Sequence, residues 1–286
     1  MRTYLDCYPC FMRQALEAAR TNGADETRQR AVLDHVMRIL ETVDLAATPP
    51  EIAYRVHDVV RATLQMGDPY RVLKAESTRR ALALYEHLKA LVEAAADPLE
   101  TAVRLAIAGN IIDYGPPGAP ADTAALQAAV DGALQRPLVI NHLEAFRSRL
   151  AEVEHILYLA DNAGETVFDR VLIETLAMPT TYVVKGGPVL NDALAEDALA
   201  AGIDRVADII DNGTDAPGTI LDRCSAALRA RFDAASLIVA KGQANYETLS
   251  DSDRDIFFLL QVKCPVIARH VGVPVGSMVI ESARRS

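Results

Sequence analysis

Four short apolar runs in the second half of the chain constrain its fold most: His155–Ala160 (HILYLA), Thr181–Lys185 (TYVVK), Val206–Asp211 (VADIID) and Ser236–Lys241 (SLIVAK). Each is rich in Val, Ile, Leu or Tyr, and helical segments separate them. Continuous apolar strands alternating with helices require a mainly parallel sheet covered on both faces. A fifth strand is expected around Val262 to Ala268, within FFLLQVKCPVIARHVG.

The first half reads as helix. In ETRQRAVLDHVMRILETV, Ala31, Val32, Val36, Ile39 and Leu40 share one face at helical spacing. Pro49-Pro50 opens another helix. Asp68 to Ala96 is a long Ala- and Leu-rich helical stretch, and PLETAVRLAIAGN follows before Gly115-Pro116-Pro117-Gly118 breaks the pattern. The expected fold class is α/β: a Rossmann-like three-layer domain, with a mainly helical region over residues 1–153 and the α/β part over 154–286.

Composition narrows the function classes. The 286 residues carry a formal net charge of -10 without a basic stripe, which argues against a nucleic-acid partner. No apolar run approaches the roughly 20 residues of a membrane span, and MRTYLDCYPC lacks a signal-peptide core. The expectation is a cytoplasmic protein with no membrane partner; nothing in the sequence addresses its oligomeric state.

The chemistry lies where the strands stop. The four runs lead into Asp161-Asn162-Ala163-Gly164-Glu165, Lys185-Gly186-Gly187-Pro188 with Asn191-Asp192, Asp211-Asn212-Gly213-Thr214-Asp215, and Lys241-Gly242-Gln243-Ala244-Asn245. In a parallel sheet these ends share one edge, where open α/β folds bind ligands. Asp161, Asn162 and Asp192 are hard oxygen donors suited to Mg²⁺ or Mn²⁺. Lys185 and Lys241 are compact cations able to hold phosphate oxygens. Together they are the equipment of metal-assisted phosphoryl transfer. Glu165 is either a stabilising acid in a first helical turn or a base facing substrate. Asn191 and Asp215 are equally readable as caps or turn residues.

The segments LADNAGETVFD, VVKGGPVLNDA, DNGTDAPGT and AKGQANYETL, with CYPCFMRQA near the start and AGNIIDYG between, resemble the damage-control phosphatase family, formerly domain of unknown function 89. The Cys-x-x-Cys start is similar to its mainly prokaryotic and archaeal subfamily. The resemblance implies a helical region on a Rossmann-like domain and hydrolysis of phosphate monoesters of small metabolites, such as sugar phosphates. It implies a divalent metal (Mg, Mn, Co or Ni) on Asp161, Asn162 and Asp192; the catalytic set expected here is Asp161, Glu165 and Asp192. Lys241 falls on the family's phosphate contact; Lys185 and Asn245 belong to the same phosphate-binding set. Asn110 and Asp113 read as a helix C-terminal region or, by the resemblance, as part of the substrate pocket.

Cys7 and Cys10 remain open between a free or structural pair and a metal or redox role, because a structural zinc site needs four ligands. The six histidines are scattered and read as structural. The competing functions are a non-catalytic metal- or nucleotide-binding module and a methyltransferase; the absence of a Gly-x-Gly turn after the first strand opposes the latter.

Overall fold

The structure is a computed structural model that describes residues 1–65, 67–109 and 123–283. Its centre is a seven-stranded sheet in the order β1-β7-β6-β5-β2-β3-β4. The strands are β1 (Leu138–Asn141), β2 (Ile156–Leu159), β3 (Thr180–Val184), β4 (Asp208–Asp211), β5 (Ile238–Lys241), β6 (Ile256–Gln261) and β7 (Met278–Ser282). β2 to β6 run parallel, so the α/β class holds; β7 pairs antiparallel with β6 and parallel with β1.

Side chains alternate across these strands, and two cores result. One face buries Tyr158, Tyr182, Val239 and Phe257 under α5 (Tyr85–Glu93), α6 (Pro98–Ala108), α7 (Thr123–Leu134), α8 (Leu143–Leu150), α9 (Thr166–Leu176) and α10 (Ala195–Ala201). The other buries Leu157, Leu159, Val183 and Phe258 under α1 (Cys7–Thr21), α2 (Glu26–Glu41), α3 (Pro49–Leu64), α11 (Ala226–Ala234), α12 (Gly242–Leu249) and α13 (Pro265–Val271). The expected stripe on α2 is present: Val32, Val36 and Leu40 are buried. Thr48 and Glu51 form a capping box at the start of α3, with Pro49 and Pro50 in its first turn.

Two expectations need correction. The stretch from Asp68 to Ala96 is two helices, α4 (Arg71–Leu82) and α5, bent where the fully buried Leu84 enters the core. The fifth strand lies earlier than read, at β6. Residues 265–271 are helix α13, because Pro265 fixes a first helical turn and keeps Cys264 extended before it. Among the described residues no helix is long and apolar enough to cross a membrane.

Candidate active site at the ends of β2, β3 and β5

Strand order places the site. From β2 the chain moves outward to β3 and β4, then returns to the other flank of β2 as β5. The carboxyl ends of β2 and β5 therefore flank the switch point, the edge at which open α/β folds bind ligands. Asp161 follows β2, and Gly242 follows Lys241 at the end of β5. The two turns touch: a Cβ at Gly242, whose φ is +77°, would stand 1.9 Å from Asp161 Oδ2. Only glycine fits that position.

The β3 loop joins by backbone pairing. Asn162 and Asp192 form an isolated antiparallel bridge. Ala163 N donates to Asn191 O at 2.9 Å and Ala193 N to Asp161 O at 2.8 Å. This zipper brings Asp161, Asn162 and Asp192 together, and all three are buried. Asn162 Nδ2 donates to Asp161 Oδ2 at 3.1 Å and to Glu165 Oε1 at 2.7 Å. Asp192 Oδ2 is buried without a hydrogen bond and lies 3.5 Å from Lys185 Nζ. Burial raises the Asp192 pKa above the ordinary carboxylate value, with Lys185 opposing the shift.

The lysines are internal. Lys185 Nζ donates to Gly218 O. Lys241 is 1% exposed and donates to Glu165 Oε2 at 2.9 Å and to Asp169 Oδ1 at 2.7 Å. Burial works against the Lys241 charge, but Asp169 and Glu165 outweigh it, and its pKa is raised. Asn245 is fully buried; its Nδ2 donates to Ala160 O at 3.0 Å and Lys241 O at 2.8 Å, and its Oδ1 accepts from Thr219 Oγ1 at 2.7 Å. Glu165 lies at the start of α9, where its carboxylate bridges Asn162 to Lys241. Asn110 and Asp113 lie outside the described residues.

Sequence reasoning missed Asp169. It occupies a core position of α9 between Phe168 and Val171 and accepts from Tyr158 and Tyr182 hydroxyls, each at 2.7 Å. The signal was an acid on an otherwise apolar helix face. It also missed α4, whose buried stripe is Lys74, Ser77, Thr78 and Ala81. Lys74 Nζ lies 2.7 Å from Asp68 and 3.4 Å from Asp197, and Thr78 Oγ1 donates to Ala163 O at 3.4 Å.

Charge tests the fit of a cation. Asp161, Glu165, Asp169 and Asp192 are four buried carboxylates around two buried lysines, Lys185 and Lys241, with the buried Lys74 also acting on Asp192. Buried charges are paired or coordinate metals. Among the described residues no three His, Cys, Asp or Glu side chains form a metal cluster. The convergent set here is two carboxylates and an amide, an all-oxygen donor set of the hard kind. Cys7 and Cys10 are free thiols one turn apart in α1, and burial raises the pKa of both.

The α/β fold thus gathers hard oxygen donors and two buried lysines at its switch point. The chain belongs to the family described as the damage-control phosphatase ARMT1-like domain, whose model matches residues 3–279. It is 36% identical to a damage-control phosphatase of Archaeoglobus fulgidus, covering 96% of both chains. It is 32% identical to damage-control phosphatase PH1575 of Pyrococcus horikoshii, covering 98% of this chain and 97% of that one. The crystal structure of a DUF89 family protein from Pyrococcus horikoshii superposes with a TM-score of 0.92 at 30% identity, over 99% of this chain and 100% of that one.

Proposed function

We propose that this protein is a divalent-metal-dependent phosphatase acting on phosphate monoesters of small metabolites, sugar phosphates among them. The observation that carries the reading is the zipper between the β2 and β3 loops, which brings Asp161, Asn162 and Asp192 into one buried, oxygen-rich site. Family membership and the names of the two archaeal relatives support the phosphatase class. The Cys-x-x-Cys start fits the mainly prokaryotic and archaeal subfamily.

Asp161, Asn162 and Asp192 would hold the ion, which when bound neutralises phosphate charge and activates water. The remaining work falls to the chain. The Lys185 ammonium stands beside Asp192 and opposes the rise in pKa that burial imposes on that carboxyl. Gly242 lets the β5 turn close onto Asp161, which fixes that carboxylate. Lys241 pairs with Glu165 and Asp169 and so holds the acid that contacts the Asn162 amide.

The test is phosphate release from p-nitrophenyl phosphate and a sugar-phosphate panel by metal-stripped protein reloaded with Mg²⁺, Mn²⁺, Co²⁺ or Ni²⁺. Activity returns with metal and falls by on the order of 10³-fold in Asp161→Ala and in Asp192→Ala. Folded protein that binds metal yet releases no phosphate from any substrate would instead support a non-catalytic binding module. Activity surviving both substitutions would place the chemistry elsewhere.

A further inference from the structure

A chain of buried hydrogen bonds runs from the middle of the sheet to the expected metal donors. Tyr158 and Tyr182 are register partners on β2 and β3, and their rings stack with centroids 5.3 Å apart. Both hydroxyls converge on Asp169, one on each carboxylate oxygen. Asp169 accepts from Lys241, Lys241 also donates to Glu165, and Glu165 accepts from Asn162. Every side chain along this path is buried; Asp169, Tyr158 and Tyr182 are fully so.

The consequence falls on the Asn162 amide. Its NH₂ group faces two carboxylates, Asp161 and Glu165. Turning the amide over would set its carbonyl oxygen against both of them, so this network fixes the orientation. The carbonyl oxygen Oδ1 is thereby turned away from the acids, and among the described residues it accepts none of the hydrogen bonds that hold the amide. An amide binds a hard cation through its oxygen alone. Whatever holds Glu165 therefore decides whether Asn162 offers the cation an oxygen or two hydrogens. Lys241 holds Glu165, and Asp169 with its two tyrosines holds Lys241.

We propose that Asp169 is a positioning residue for the metal site, acting through Lys241 and Glu165 to present the Asn162 carbonyl oxygen to the ion. The proposal rests on the metal-dependent reading above. It gives Glu165 and Lys241 a task in the protein before substrate arrives. It also explains an acid at a core position of α9, where an apolar residue would pack more cheaply. Partners of this kind, one step behind the ligands, alter metal affinity by 10- to 100-fold when removed.

The experiment is calorimetric titration of metal-stripped protein with Mn²⁺. Wild type, Asp169→Asn, Tyr182→Phe, Asp161→Ala and Asp192→Ala are compared, with urea denaturation alongside. Asp169→Asn keeps the shape and removes the charge that anchors Lys241. It raises the Mn²⁺ dissociation constant by about 10- to 100-fold, while the stoichiometry of sites titrated stays near wild type. Tyr182→Phe removes one of two hydroxyls and raises it by a few-fold, below the lower end of that range. It covers the case in which Asp169→Asn fails to fold. A merely structural role moves a different quantity: the number of competent sites falls with the folded fraction, and the dissociation constant of those that remain is unchanged. That outcome, in whichever of the two variants folds, overturns the proposal. The underlying reading fails separately, if wild type binds no Mn²⁺ or if Asp161→Ala and Asp192→Ala bind it as wild type does.

Discussion

Two neighbouring strand-end regions share one sequence style and differ in what they do with their charges. At β2 and β5, Asp161, Glu165, Asp169 and Lys241 are almost wholly removed from water; Lys241 joins Glu165 to Asp169, and Asn162 joins Asp161 to Glu165. At β3 and β4, the segments around Gly186 and Gly213 line an open cleft of ≈ 890 Å³ with Arg61 and Tyr54 of α3. There the polar side chains tie backbone together. Asn212 Oδ1 accepts from Gly186 N and Thr214 N, each at 3.0 Å, and Asp211 Oδ1 from Gly213 N at 2.8 Å. Arg61 reaches Pro188 O at 3.0 Å and Asp215 Oδ2 at 2.6 Å, so one side chain clasps both loops to α3. A charge whose partners are backbone groups and solvent shapes a loop. Buried charges are paired with one another or held ready for a ligand.

That contrast is breakable. Its largest consequence is at Lys241: Lys241→Met leaves Glu165 and Asp169 buried without their cation. It should destabilise the protein by about 3–5 kcal/mol in urea denaturation. A loss below about 1 kcal/mol would mean that the β2/β5 charges are not the closed set described. Arg61→Ala, in the other region, removes hydrogen bonds from a partly exposed clasp. It should cost about 1–2 kcal/mol, with kcat/KM for a phosphoester within about twofold of wild type. A large catalytic loss with unchanged stability would move the β3/β4 cleft into the reacting site.

The smallest effect is a cancellation in pH dependence. On α3, burial and then Arg61 hold the His57 pKa down at about 4, from an ordinary 6.5. On α12, burial raises Glu247 to about 7, from 4.5. The unfolded chain protonates His57 below about pH 6.5 and the folded one does not, so this group's contribution is lost as pH falls from 6.5 towards 4. Glu247 has the opposite sign: folded protein keeps its proton to about pH 7, so its contribution is lost as pH rises from 4.5 to 7. Each contribution is worth about 3 kcal/mol, and between pH 4.5 and 6.5 the two slopes nearly cancel. Glu247→Gln removes one slope, and the unfolding free energy from urea titration should then fall on acidification across that window by about 3 kcal/mol more than in wild type. Parallel pH profiles for variant and wild type would show that Glu247 does not carry the opposing slope.

Much of this was legible in the chain. Unbroken runs such as HILYLA and SLIVAK announce strands buried on both faces, and they are β2 and β5. β1 was not readable: Leu138–Asn141 is four residues at a sheet edge, partly exposed, between two helical patterns. β6 and α13 share one apolar run, so only Pro265 marks the change, and periodicity over so short a stretch does not separate strand from helix. At the site, the motifs named the donors but not their partners. That Lys241 points inward depends on Asp169, eleven residues beyond Tyr158 and 72 before Lys241. No local spacing encodes that meeting, because the strand order creates it.

The same strand order sets a timetable for the growing chain. β1 is complete at Asn141, yet its one strand partner is β7, which ends at Ser282. During synthesis the first strand made must wait for the last, while β2 can pair with β3 within some 30 residues of being made. The β2-β3-β4 end of the sheet can thus pair first, and the β1 edge closes last. That edge is where a pause, a truncated product or a chaperone would meet an unpaired strand.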